Sequence, residues 1–390
     1  MLKKSTAFPK GEIKFLLLVF SISFVISALT PIIPRRAYVL GASEVEVGML
    51  GFLISLAYTV FPFSFGIIVT RIGKVKLILS ALIGYVILIL FYSIVAEVWH
   101  ILLLRFLEGV VIAAIWPTLD SLTQDVFKRV SSKRSLSLFS TSWSLGYTVG
   151  PLVFGQITDV YGFNTALGLP FMITLISIVF CLSLEHEEEE VESVKFREVI
   201  SLLSSRQYLI NVTLPVFMLG YDIGTLFNIF PVYATSLKVS SSTIGGLLSA
   251  FMGIRVVFFS MISTPRSYRG LVVWESAGLL LLGLSFILIS RVAEVSLWYF
   301  VFCIIGIAAS LLYLASLSSA LMVSNRVRSS SAGAFETSWG LGSTIGSLTG
   351  GFIAYLTSFV QTFVVSGIVS IISSITVLLY FLRVKDWRRS

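Results

Sequence analysis

The chain has 390 residues, of which 56% are apolar and only 12% are charged, with a mean hydropathy of +0.96. A soluble domain is about 25% charged, so this supply cannot clothe a water-exposed surface, and the surrounding solvent must be lipid. A net charge of +8 would suit nucleic acid in a soluble protein. In a lipid-facing chain it reads as anchoring to an anionic leaflet, and no nucleic-acid partner is expected.

Apolar runs of about 20 residues recur, each able to cross a hydrocarbon core roughly 30 Å thick. Lipid offers no partner to an open backbone, so the runs must be helices or barrel strands; being continuous rather than alternating, they are helices. Twelve spans are predicted, near 14–34, 46–69, 76–96, 99–120, 134–158, 163–184, 207–235, 241–264, 271–290, 295–321, 330–356 and 359–382. The first has too long an apolar stretch for a cleaved signal peptide. The second carries Tyr58, Phe61, Phe63 and Phe65, candidates with Trp116, Phe227 and Phe230 for lining an apolar cavity. The loop after it holds Gly66, Arg71, Gly73 and Lys74.

Span four places Glu108 three residues after Arg105, on one helix face within pairing distance, and ends at Asp120. Span five repeats small residues at Gly146, Gly150 and Gly155, with Pro151 between them, a smooth face for close packing. The segment 185–206 opens with five carboxylates between Glu185 and Glu190, a solvated run. It continues into an amphipathic stretch, Val194 to Leu203, suited to a membrane surface. Span seven carries Asp222 with Tyr221, Gly224 and Asn228, and span eight carries Arg255. Their depths agree to within a turn, so Asp222 and Arg255 are expected to face each other across a hairpin. Span eleven carries Glu336 near its amino-terminal end, expected as a gate residue meeting Arg129 or Arg326.

An ionisable group at bilayer depth costs several kcal/mol and needs a reason. Two readings stay open for Glu108 and Asp222: a proton-coupling carboxylate, or a permanent ion pair locking helix packing. Cys181 and Cys303 lie inside spans as small packing residues, with no disulfide or metal site implied. No phosphate loop or zinc-protease pattern occurs, so no cofactor and no enzymatic activity are expected.

Two regularities organise the spans. With the amino terminus in the cytoplasm, inner loops and tails hold 22 of the 28 Lys and Arg residues, and outer loops hold only Arg35, Arg36, Lys238 and Arg291. That bias puts both termini on the cytoplasmic side. The chain also repeats itself at a displacement of about 197 residues: Phe139-Ser-Thr-Ser-Trp143-Ser-Leu-Gly146 recurs as Phe335-Glu-Thr-Ser-Trp339-Gly-Leu-Gly342, Gly346 matches Gly150, and Gly350 lies near the counterpart of Gly155. The expected architecture is an all-α membrane protein, two pseudo-symmetric six-helix bundles at 1–184 and 207–390 joined by a cytoplasmic linker, 185–206. Parallel repeats place a site between the halves, exposed alternately to either side by rocking.

These residues resemble the major facilitator superfamily across essentially the whole chain. Gly66-Ile-Ile-Val-Thr70-Arg71-Ile-Gly73-Lys74-Val-Lys76 looks like its loop signature, with Thr70 where the family usually has an acid. Arg105-Phe-Leu-Glu108-Gly109 resembles its Arg-x-x-x-Gly motif, and Gly146-x-x-x-Gly150-Pro151-x-x-x-Gly155 is similar to the motif of the drug:proton antiporter branch. The resemblance implies a plasma-membrane transporter, with a small amphipathic or cationic substrate driven out by proton entry. A proton-coupled importer or facilitator of an anionic metabolite, using Arg105 and Arg255, is the rival; a transporter-like receptor is a third reading. The fold requires no oligomer, so a monomer is expected. Arg71 and Lys74 would either latch to Asp120 at the cytoplasmic surface or simply set topology, and Tyr58, Trp116, Tyr221 and Asn228 join the charged residues as candidate substrate contacts.

Overall fold

A computed structural model describes residues 10–127, 132–184, 200–201, 204–261, 264–265, 267–292, 294–322 and 328–383. Twelve long helices account for nearly all of them: α1 Lys10–Val39, α2 Glu44–Ile72, α3 Lys74–Ser93, α4 Val98–Val126, α5 Ser132–Tyr161, α6 Gly168–Leu182, α7 Leu214–Asn228, α8 Ser241–Met261, α9 Tyr268–Arg291, α10 Val295–Leu321, α11 Arg328–Leu356 and α12 Phe359–Arg383. Short turns of helix at Phe163–Ala166 and Arg206–Tyr208 precede α6 and α7. The acidic run Glu185–Glu190 lies outside the described residues, as does the stretch from Val194 to Leu203 apart from residues 200 and 201.

Helices outrun the apolar spans, because a backbone can stay helical beyond the hydrocarbon where side chains turn polar. Their ends are set by local chemistry. Ser43 starts α2 in a capping box: its hydroxyl accepts from the Glu46 amide at 3.3 Å, and the Glu46 carboxylate accepts from the Ser43 amide at 2.8 Å. Gly73 ends α2 at φ +86°, a left-handed conformation that a side chain disfavours, and α3 starts at the next residue.

The seventh span departs from the continuous helix predicted over 207–235. It opens with a π-helical turn, Leu209–Thr213, and breaks at Ile229 before resuming at Phe230–Ser236. Pro231 cannot donate to the Phe227 carbonyl, and the Asn228 side-chain amide bonds the Gly224 carbonyl at 2.9 Å.

Ten helices are long and apolar enough to cross a membrane on the residues described. The other two, α5 and α11, hold the glycine- and hydroxyl-rich repeats and pack against helices on both sides. In the first bundle α1 packs on α5 and α6, and α2 on α4; in the second α7 packs on α11, and α9 on α10 and α12. The bundles meet along two helix pairs, α5 with α8 and α2 with α11.

The start of α1 and the end of α12 lie on one face, the tail face, with the turns after α2 and α8; the turns after α1, α5, α7, α9 and α11 lie on the far face. The far face is sealed. Gly48 of α2 and Gly351 of α11 approach so closely that a Cβ on Gly48 would stand 2.9 Å from the Gly351 Cα. A Cβ on Gly155 would strike the Ser241 carbonyl, and one on Gly245 the Pro151 carbonyl. Asp159 closes the same mouth by accepting from the Ser241 and Ser242 amides at 2.9 and 2.7 Å, which caps α8 from the opposite half. Arg35 adds hydrogen bonds to Thr235 at 3.2 Å and to the Val239 carbonyl at 2.7 Å.

Candidate functional site

Between the halves, on the tail-face side of these seals, six helices bring titratable side chains together. Asp120 of α4 and Glu336 of α11 act electrostatically on each other, and both act on Tyr58 of α2 and Tyr313 of α10. Tyr58 reaches the Glu336 carboxylate with its hydroxyl. Tyr147 of α5 adjoins Tyr58, and Arg255 of α8 adjoins Tyr313. Asp120 and Glu336 are exposed, so solvent reaches carboxylates that protein groups surround. Tyr58 and Arg255 stand about 21 Å from the far-face ends of their helices, close to mid-depth, and Asp120 stands about 9 Å from the tail-face end of α4.

Aromatic rings wall this space with a two-fold echo of the sequence repeat. In one half Trp116 meets Phe139 edge-on at 6.5 Å and Tyr147 at 6.3 Å, while Trp143 meets Tyr147 edge-on at 5.7 Å. In the other, Tyr313 meets Phe335 edge-on at 5.6 Å and Trp339 at 6.4 Å. Trp143 and Trp339 are thus built into the walls through ring contacts. Phe230 is fully buried against Trp298 and Phe302, inside its own bundle.

The expected facing of Asp222 and Arg255 does not occur. The Arg255 guanidinium sits over Phe251, Phe259 and Tyr313 at 5.4, 5.3 and 5.9 Å, held by ring faces rather than by a carboxylate. Asp222 faces the other way, into its bundle, and takes the Ser370 hydroxyl of α12 at 2.6 Å. Equal depth does not fix which side of a helix a residue faces; the packing of α7 between α11 and α12 decides that.

Glu108 does pair with Arg105, at 2.9 Å, and both are buried. Tyr85 and Tyr92 of α3 donate to its two oxygens at 2.6 and 2.8 Å. Arg105 also reaches across the halves toward Asn228, at a long 3.5 Å, and within its own half toward the Thr30 carbonyl at 3.5 Å. Tyr221 accepts from Thr349 at 3.1 Å, so its hydroxyl is engaged with α11.

At the tail face, Lys74 pairs with Asp125 at 2.5 Å, not with Asp120. Asp125 lies five residues, more than one turn, beyond Asp120, where the helix end reaches the loop. Arg71 and Thr70 are exposed, the Thr70 hydroxyl bonding its own helix at the Ile67 carbonyl, 2.7 Å away. Among the described residues nothing lies within 4 Å of where a Gly66 side chain would stand, so no helix approaches closely there. Arg129 and Arg326, expected near Glu336, lie outside the described residues. Gly146 and Gly150 lie against the α1 backbone at Phe20 and Phe24, while Gly342 and Gly346 lie against the α7 backbone at Phe217 and Tyr221. Gly350 meets Ile229.

Sequence reasoning missed Glu275 of α9, buried and bonded by Ser319 at 2.9 Å, along with Asp125, Tyr147 and Tyr313. A charge inside the ninth predicted span was signal enough for Glu275. The tyrosines gave none, since tyrosine is ordinary in a span.

Comparison with known proteins accords with this architecture. The model of the Major Facilitator Superfamily matches residues 15–325. An uncharacterised MFS-type transporter of Methanocaldococcus jannaschii is 23% identical over 84% of this chain and 86% of its own. The multidrug resistance protein MdtG of Enterobacter lignolyticus is 27% identical over 53% of this chain, a match spanning 49% of MdtG. The solved nucleoside transporter NupG superposes with a TM-score of 0.80 at 14% identity, covering 96% of this chain and 99% of that one. A POT family transporter in complex with 5-aminolevulinic acid gives 0.77 at 14% identity, covering 97% of each; at such identities these two likenesses speak for the fold alone. With the family model over most of its length and this helical architecture, the chain belongs to the Major Facilitator Superfamily, and it is a multi-pass membrane transporter of a small molecule rather than an enzyme.

Proposed function

We propose that the protein exports small amphipathic cations across the plasma membrane in exchange for protons, working as a monomer with both termini and the tail face in the cytoplasm. The observation that carries this reading is the pairing of Asp120 and Glu336, one carboxylate from each half, in one aromatic-walled space. Among the described residues neither has a basic side chain within ion-pair distance. Two like charges in one space favour a bound cation, either a proton or an organic ammonium. Aromatic faces supply an apolar and cation-attracting lining. The name of MdtG, a multidrug resistance protein, supports the same substrate class. The positive-inside bias supports the orientation.

Rocking then has a plain electrostatic logic. With the far face closed, a cation entering from the tail face meets the two carboxylates; after reorientation, protons arriving from the far side replace it. Asp120 and Glu336 come from different halves, so neutralising both removes a repulsion between the bundles and changes how closely they approach.

The test is flux in proteoliposomes under an imposed pH gradient, with tetraphenylphosphonium, ethidium and neutral amphiphiles on the wild type, Asp120→Asn and Glu336→Gln. Gradient-driven cation flux is expected in the wild type, falling by about a hundredfold in either variant. Cation flux indifferent to both substitutions would remove these carboxylates from the site. Transport of anionic metabolites, abolished by Arg255→Met, would establish the importer or facilitator instead. Binding without flux would mark a receptor.

A further inference from the structure

Inside the second bundle, away from the space between the halves, runs a polar seam that the cation site does not use. Asp222, in the middle of α7, is fully buried; one oxygen takes the Ser370 hydroxyl at 2.6 Å, and the other has no partner among the described residues. Beside it the Tyr221 hydroxyl meets Thr349 and adjoins Ser366, whose own hydroxyl is buried without a partner at hydrogen-bonding distance. Toward the tail face, Glu275 of α9 is likewise fully buried, with one oxygen on Ser319 at 2.9 Å and the other unpartnered among the described residues.

Hydroxyls line the interval between the two acids. Ser366, Ser370 and Ser374 lie on one stripe of α12, at steps of about 6 Å. The Ser374 hydroxyl donates to the Ser276 carbonyl at 2.7 Å, next to Glu275, and the Ser276 and Ser316 hydroxyls are buried and unpartnered. At the tail-face end Tyr268 acts on Glu275 and meets Asn211, whose buried side-chain oxygen has no partner in the π-helical turn. π-helical turns often occur at functional sites.

Buried polar atoms are nearly always paired, and an unpaired buried carboxylate is among the costliest arrangements in a protein. Here two occur in one seam. The titratable groups acting on them are Tyr221 on Asp222 and Tyr268 on Glu275. The helices packed around them offer hydroxyls: Thr349 from α11, Ser316 and Ser319 from α10, Ser366, Ser370 and Ser374 from α12. Among the described residues no Lys, Arg or His comes within 4.0 Å of either acid.

We propose that Glu275 and Asp222 bind and relay a coupled proton through the second bundle, on a route apart from the protons that replace the cation at Asp120 and Glu336. A proton from the far-face side adds to the free oxygen of Asp222 and makes it a donor. The hydroxyl stripe of α12 lines the way to Glu275, whose free oxygen receives the proton and releases it on the tail-face side, with no change of oxidation state. The opposite face of α7 carries the signal: Gly220 and Gly224 lie directly against the backbone of Trp339 and Ser343 on α11, the helix that bears Glu336. Charge on Asp222 thereby alters the helix contact beside the cation site.

The relay deepens the proton-exchange reading and rests on it for direction of transport, so its test has an arm that needs no substrate. Infrared difference spectra of the full-length protein in liposomes, recorded as pH is stepped, read the carbonyl stretch of protonated carboxyl groups. Two titrating bands are expected, one lost in Asp222→Asn and one in Glu275→Gln, with the Asp222 band shifted in Ser370→Ala. Spectra identical to wild type in both acid variants overturn the proposal. In the transport arm, both variants are expected to lose pH-gradient-driven tetraphenylphosphonium flux by about a hundredfold while keeping counterflow at equal pH, which also shows that they fold. Gradient-driven flux at the wild-type rate in both variants overturns the proposal as well. A wild type that moves no cation but shows both bands sinks the cation reading and leaves the proton sites standing.

Discussion

The two bundles treat the carboxylates buried deep within their spans in opposite ways. In the first, Glu108 is saturated: Tyr85, Tyr92 and Arg105 occupy both oxygens. In the second, Asp222 and Glu275 each hold one hydroxyl and leave one oxygen without a partner. Their repeat mates at a displacement of 197 are apolar: Ile305 for Glu108, Val25 for Asp222 and Ile78 for Glu275. The repeat itself requires none of the three acids, and each stands in one half only. A saturated pair is a lock, because neither charge state but the ionised one fits its donors. An acid with a free oxygen accommodates a proton without dismantling anything around it.

The sharpest way to break this contrast is Glu108→Gln, which strands the buried Arg105 charge. A loss of about 3–5 kcal/mol is expected, read as a large drop in the melting temperature of purified protein. Joint replacement, Arg105→Met with Glu108→Met, should recover most of it; an unchanged melting temperature in Glu108→Gln would demote the lock. Next in size is Lys74→Met, which removes one partner of the buried Asp125 near the tail face. About 1–3 kcal/mol is expected there, because Asp125 keeps further interactions. Asp222→Asn and Glu275→Gln should leave stability unchanged or raise it by about 1 kcal/mol, because each removes an unbalanced buried charge. A drop comparable with that of Glu108→Gln would make these acids structural too.

The smallest effect concerns the far-face mouth. Burial acts to raise the Asp159 pKa, but hydrogen bonds from Ser242 and Ser241 outweigh it and hold the carboxyl below its ordinary value. A folded-state pKa below the unfolded one means stabilisation present above the unfolded value and lost as pH falls through the folded one. The latch should thus hold at neutral pH and weaken only in acid below the ordinary carboxylate range, about 4. Asp159→Ala should weaken it by about 0.5–1 kcal/mol, at the low end for a cap because the group is exposed. Distances between spin labels at the far-face ends of α5 and α8 would show the mouth opening more often. Identical distance distributions at neutral pH would mean that the glycine contacts alone hold it shut.

Particular residues show where sequence reading reaches its limit. The Arg105–Glu108 pair is legible, because three residues along one helix is a local distance that helix geometry sets. Depth alone pairs Asp222 with Arg255, and Lys74 with Asp120, and the structure supplies other partners for each: Ser370, three aromatic rings and Asp125. Glu336 illustrates the same limit from the other side. Its proximity to Asp120 and Tyr58 depends on how one bundle is placed against the other.

By itself the sequence determined that the chain is helical and lies in lipid, because too few charges and long apolar runs leave no alternative. It determined the twofold organisation, because the glycines and tryptophans recur at constant displacement, and it determined which spans carry charge. Only the tertiary structure decided which carboxylates are satisfied, which face the space between the halves and which face into a bundle. Depth along a helix follows from counting residues, whereas the direction of a side chain around it is set by the rotation and packing of whole helices, through contacts between residues far apart in the chain.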